Sequence, residues 1–122
     1  MSKKVLIVED DKMIATMYET KLKQDDIDVI IADNGSQGLD LAVREKPDLV
    51  LLDVILPQMD GFTVLQELRL NPNTKETPII MLTNLGTSED QEKGKQMGAT
   101  DYWVKAQMTP AQVSEKVNEL LK

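Results

Sequence analysis

Four short apolar runs in this chain of 122 residues each end in a side chain able to do polar chemistry. Val5–Val8 runs into Glu9, Asp10 and Asp11; Leu49–Leu52 into Asp53; Ile79–Leu82 into Thr83; Tyr102–Val104 into Lys105. Two carboxylates about 4 Å apart repel by roughly 4 kcal/mol at an effective dielectric of 20. A cluster of them therefore calls for a cation or for splaying into water. Carboxylate, carbonyl and water ligands select Mg²⁺, with Mn²⁺ as the second candidate. A carboxylate beside such a metal can act as a nucleophile and form an acyl phosphate. The metal and a lysine would then stabilise charge on the transferred phosphoryl group, and a threonine hydroxyl could donate a hydrogen bond to it.

These residues converge only if the elements that carry them lie side by side. The apolar runs are short and solid, as expected for strands covered on both faces. Asp28–Ala32 is a further strand candidate. Between the strands lie helical patterns: residues 12–23, with Ile14, Met17, Tyr18 and Leu22 on one side; residues 36–46, stopped by Pro47; a third built on Phe62, Val64, Leu65 and Leu68, closing near Asn71-Pro72. Ser88 is expected to cap a fourth helix reaching Met97. Thr109-Pro110, with Gln112, predicts a capping box and first turn for a last helix carrying Val113, Val117, Leu120 and Leu121. Alternation of this kind predicts an α/β fold, a five-stranded parallel sheet doubly wound with helices on both faces. In such sheets ligands sit outside the carboxyl ends of the strands, where all the polar residues above fall.

The length suits one domain over residues 1–122, with no stretch left over for an output domain. With no cysteine and no histidine, disulfides, thiolate metal sites and imidazole acid–base chemistry are excluded. A formal charge of −7 argues against nucleic acid as a partner. No apolar run is long enough for a membrane span, and the apolar stretch after Lys4 is too short for a secretory signal, so a cytoplasmic location is expected.

The chain resembles the receiver domain of two-component response regulators, from Val5 to the last helix. The resemblance rests on "VEDD" after the first strand, "LLDVILPQMDG" around the third, "MLTN" after the fourth and "GATDYWVK" into the fifth. It implies a flavodoxin-like strand order 2-1-3-4-5. It implies Asp53 as the phosphorylated residue, and a Mg²⁺ site formed by Asp10 directly, Glu9 mostly through water, Asp53 and the backbone carbonyl of Ile55. Thr83 and Lys105 would bind phosphoryl oxygens, and Tyr102 matches an aromatic switch position that responds to Thr83. The implied function is a signalling switch that catalyses its own phosphorylation and dephosphorylation. Its donor would be a histidine kinase or phosphotransfer protein, and its output a downstream protein partner bound by a monomer or a phosphorylation-dependent dimer. The alternative within the family is an interaction scaffold that takes no phosphate. A phosphatase with a nucleophilic aspartate would want a second aspartate where Ile55 stands. A flavin-binding protein would want a hydroxyl- and glycine-rich phosphate loop where Glu9, Asp10 and Asp11 stand.

The remaining residues are read more plainly. Asp11 opens a helix and is expected to cap it rather than touch the metal. Trp103 is expected in the core or against a helix, and the methionines mostly as core filler. Three positions depart from the family pattern. Ala106 follows Lys105 where proline is usual, so a trans peptide bond is expected. Asn84 stands where a small residue is usual. Ile55 and Leu85 are apolar at positions that influence loss of the phosphoryl group, so neither can position an attacking water, and a long-lived phosphorylated form is expected.

Overall fold

A computed structural model describes residues 2–122. The strands are β1 (Lys4–Val8), β2 (Asp28–Ala32), β3 (Leu49–Leu52), β4 (Ile79–Thr83) and β5 (Asp101–Val104). They form one parallel sheet in the order β2-β1-β3-β4-β5. Between them run α1 (Lys12–Gln24), α2 (Gly35–Glu45), α3 (Gly61–Leu70) and α4 (Ser88–Gln96), with α5 (Pro110–Leu121) last. The expected fold class and strand order are both observed.

Successive strand residues face opposite sides of the sheet, and the core divides accordingly. Val5, Ile7, Leu49, Leu51, Ile80, Leu82 and Trp103 pack with Ala15, Tyr18 and Leu22 of α1 and Val113 and Val117 of α5. Leu6, Val8, Val50, Leu52, Ile79, Met81, Tyr102 and Val104 face the other way, against Ala42 of α2 and Phe62, Val64, Leu65 and Leu68 of α3. Side chains buried on both faces account for the solid apolar runs of β1, β3 and β4.

Each helix starts at a side-chain cap, which satisfies amides that have no partner inside the helix. The Asp11 carboxylate accepts from Met13 N at 2.9 Å and Ile14 N at 3.2 Å, as expected of it. Asn34, Asp60 and Thr109 cap α2, α3 and α5, the last with the expected box to Gln112. Two helix starts differ from the sequence expectation. Helix α2 begins at Gly35 rather than residue 36 and ends at Glu45, with Lys46 in the left-handed region at φ 47°. The cap of α4 is Thr87, not Ser88: its hydroxyl accepts from Asp90 N and donates to Asp90 Oδ2 at 2.7 Å, a reciprocal pairing that Ser88 cannot make from inside the helix.

Helix α4 buries only Gly94. It is held by the close approach of Gly94 to the Tyr102 ring and by Lys93 Nζ, 4.4 Å from the centroid of the Phe62 ring. Most of the described methionines serve the core, as expected: Met81 is fully buried within it, and Met59, Met97 and Met108 pack half-buried against it, whereas Met13 is 84% exposed and Met17 43%. Leu120 is also exposed. Helical spacing places Met17 and Leu120 beside core positions, but each lies at the margin of the buried stripe. No helix among the described residues is long and apolar enough to cross a membrane.

Candidate active site at the carboxyl edge of the sheet

Strand register brings the polar residues together. Val8 pairs with Leu52, and Asp53 N donates to Val8 O at 3.1 Å, so Glu9 and Asp53 leave adjacent strands side by side. Leu52 pairs with Met81, and Thr83 pairs with Val104. Thr83 and Lys105 therefore emerge on the same edge, one strand and two strands beyond Asp53.

Lys105 is the hub. Its ammonium donates to Asp53 Oδ2 at 2.8 Å and to Glu9 Oε1. All three side chains are nearly out of contact with solvent. Burial alone would lower the Lys105 pKa, but hydrogen bonds to Asp53 and Glu9 outweigh it and hold the group above its ordinary value. Glu9 is pushed up by burial, only partly offset by Lys105. The two directions are compatible, because one ammonium faces two carboxylates while each carboxylate has only a share of one ammonium.

The remaining oxygens are also engaged. Glu9 Oε2 accepts from Asp11 N at 3.2 Å, and Asp53 Oδ1 accepts from Val54 N at 2.7 Å. Asp10 projects to solvent. One oxygen each from Glu9, Asp10 and Asp53 lie within 4.8 Å of one another, a donor set that fits a hard divalent cation. Ile55, whose carbonyl completes the implied ligand set, lies just beyond Asp53 and is 64% exposed.

Thr83 is buried, and its Oγ1 accepts from Leu85 N at 3.3 Å. Tyr102 is 6% exposed, and its hydroxyl donates to Leu85 O at 2.5 Å. One residue, Leu85, thus joins the threonine to the tyrosine through its backbone. Burial, with Asp90 and then Asp53 nearby, pushes the Tyr102 hydroxyl up to about 12. Trp103 points to the opposite face of the sheet, where its Nε1 donates to Asp101 Oδ2 at 3.0 Å. Asn84 is exposed at the rim. The peptide bond before Ala106 is trans, and residues 105–107 form a short 3₁₀ turn.

Sequence reasoning set Lys105 against the carboxylates as a counter-charge, but placed Glu9 mostly as a water-mediated metal group and did not foresee the direct bond between the two. The signal available was side-chain length, since glutamate reaches one methylene farther than aspartate. It also missed Gly94, a lone glycine inside a polar helix. A Cβ there would sit 2.9 Å from Tyr102 Cδ2, so the ring occupies the space a side chain would take.

Comparison with known proteins agrees with this geometry. The family described as response regulator receiver domain matches residues 5–118. The alkaline phosphatase synthesis transcriptional regulatory protein PhoP of Bacillus subtilis is 38% identical over all of this chain and 50% of its own length. The DNA-binding dual master transcriptional regulator RpaA of Synechocystis is 42% identical over 84% of this chain and 42% of its own length. The chain thus spans about half the length of these curated relatives. Among solved structures, Vibrio cholerae chemotaxis protein CheY4 superposes with a TM-score of 0.90 at 31% identity, covering 99% of this chain and 100% of that one. The BeF₃-activated receiver domain of Klebsiella pneumoniae RstA gives 0.89 at 35% identity, covering 98% and 99%. Sequence match, strand order and the acidic edge agree: the chain belongs to the response regulator receiver domain family of two-component systems.

Proposed function

We propose that this chain is a phosphorylation-controlled switch in which Asp53 accepts a phosphoryl group. The observation that carries the reading is the convergence of Glu9, Asp10, Asp53 and Lys105 at one edge of the sheet, with Thr83 beside them. Glu9, Asp10 and Asp53, with the carbonyl of Ile55, would hold Mg²⁺. Bound there, the cation supplies positive charge to the oxygens of the incoming phosphoryl group.

The protein's own groups do the rest. An Asp53 carboxylate oxygen forms the new bond to phosphorus as the donor's bond to phosphorus breaks. The donor is a phosphohistidine of a histidine kinase or phosphotransfer protein, and its imidazole leaves. Lys105 already lies against Asp53 and passes its hydrogen bond to a phosphoryl oxygen. The Thr83 oxygen accepts from Leu85 N, which leaves its O–H free to donate to another. Any movement of Thr83 is felt by Leu85, and through Leu85 O by Tyr102. Tyr102 packs against α4 through Gly94, so the signal reaches the surface a downstream protein would bind.

The test is intact mass after incubation with a small phosphodonor, with Mg²⁺ or chelator, for the wild type and Asp53→Ala. A single phosphoryl adduct that needs both Mg²⁺ and Asp53 is expected. Absence of an adduct while Mg²⁺ binds would overturn the reading in favour of a receiver-like scaffold that takes no phosphate.

A further inference from the structure

The loop after Asp53 contains a turn that is costly for its sequence. Gln58 has φ +73°, and Met59 N donates to Pro57 O at 2.8 Å across it. A γ-turn with positive φ at its centre is rare and strained, and a non-glycine residue holds it only where the surroundings impose it. Here the surroundings are the first residue of α2. Gly35 N donates to the same Pro57 O at 3.1 Å. A Cβ on Gly35 would fall 1.7 Å from Met59 O and 2.6 Å from Met59 C, so the helix start and the turn touch backbone to backbone.

The far end of the loop is tied back to Asp53. Gly61 N donates to Val54 O at 2.7 Å, and a Cβ on Gly61 would lie 2.0 Å from Asp53 O. Val54 N in turn donates to Asp53 Oδ1 at 2.7 Å. The peptide that orients the Asp53 carboxylate is therefore part of a closed loop, fastened at Gly61 and pressed at Pro57–Met59 by α2.

We propose that Gly35 is a positioning residue for the Asp53 carboxylate, acting through the strained turn at Pro57–Met59. This rests on the reading of Asp53 as part of a Mg²⁺-binding acceptor site. Gly35 touches neither cation nor phosphoryl group. Its missing side chain lets α2 hold the turn, and the turn sets the Val54 peptide.

Mg²⁺ binding to the full chain, followed by calorimetric titration, tests this without any phosphodonor. Gly35→Ala is expected to weaken Mg²⁺ binding roughly tenfold, the size usual for losing a group that orients a metal ligand. Ala42→Gly, which loosens the same helix away from the loop, is expected to lower the urea midpoint and leave Mg²⁺ affinity within about twofold of wild type. Adding Gln58→Gly to Gly35→Ala removes the cost of positive φ and is expected to recover part of the affinity. Wild-type affinity in Gly35→Ala, or equal weakening in Ala42→Gly, overturns the proposal. No Mg²⁺ binding by the wild type would instead overturn the acceptor-site reading beneath it.

Discussion

Gly94→Ala makes the contact between α4 and Tyr102 measurable. In an exposed helix interior the change should stabilise by about 1 kcal/mol, because alanine is the better helix former. Here the added methyl would lie 2.9 Å from Tyr102 Cδ2 and 3.2 Å from Cε2, closer than ordinary contact allows. The ring is the side chain free to give way, and as it swings out the hydrogen bond from Tyr102 to Leu85 O is lost, about 1 kcal/mol. Much of the ring's burial goes with it, roughly 1.5–3 kcal/mol for a large side chain. The net expectation is destabilisation of roughly 1.5–3 kcal/mol. A second readout is independent of stability. The buried Tyr102 hydroxyl, held up at about 12, should titrate closer to its ordinary value once the ring meets water. The assay is urea unfolding together with phenolate absorbance against pH. A variant about 1 kcal/mol more stable than wild type, with an unchanged titration, would refute the reasoning.

Other outcomes follow from the same structure. Asp11→Ala should cost about 1 kcal/mol in urea unfolding through loss of the α1 cap, with Mg²⁺ affinity unchanged; a marked loss of affinity would make Asp11 a metal ligand instead. Arg69 donates to the carbonyls of Thr74, Lys75, Thr77 and Gly98 and so ties the α3–β4 loop to the turn before β5. Arg69→Met should cost on the order of 3 kcal/mol by leaving those groups underpaired, seen as a lower melting temperature. Because Tyr102 is raised in the fold, the unfolded chain ionises first. Its neutral-state stabilisation is present below pH ~10 and lost as pH rises toward 12, so the urea midpoint should fall across that window, and less so in Tyr102→Phe. Ile55→Asn with Leu85→Glu should speed loss of the phosphoryl group, followed by the decay of the mass adduct; an unchanged decay rate would count against the idea that these apolar residues prolong it.

Much of this architecture is legible in the chain because strands covered on both faces must be continuously apolar. Val5–Val8, Leu49–Leu52 and Ile79–Leu82 leave few alternatives, and each ends in a residue that water or a ligand must meet. The resemblance to receiver domains supplied the strand order and the site roles, neither of which periodicity contains. What stayed hidden depends on distances between elements remote in sequence. Glu9 and Lys105 are 96 residues apart, and only the sheet register shows that the glutamate reaches the lysine. Methionine spacing alone does not distinguish Met81 in β4 from Met13 on the outer side of α1. Gly35 and Gly94 look alike as helix glycines, yet one meets a backbone carbonyl and the other an aromatic ring.

The all-polar surface of α4 has a thermodynamic consequence. An element that buries a single glycine has almost no oily area of its own to expose, so what it uncovers when it shifts is chiefly the edge of the Tyr102 ring beneath Gly94. Its displacement therefore carries only the change in heat capacity of that one contact, since that quantity tracks apolar exposure. The balance between positions of α4 should then depend only weakly on temperature. Nor does the displaced helix present a face on which other chains could aggregate.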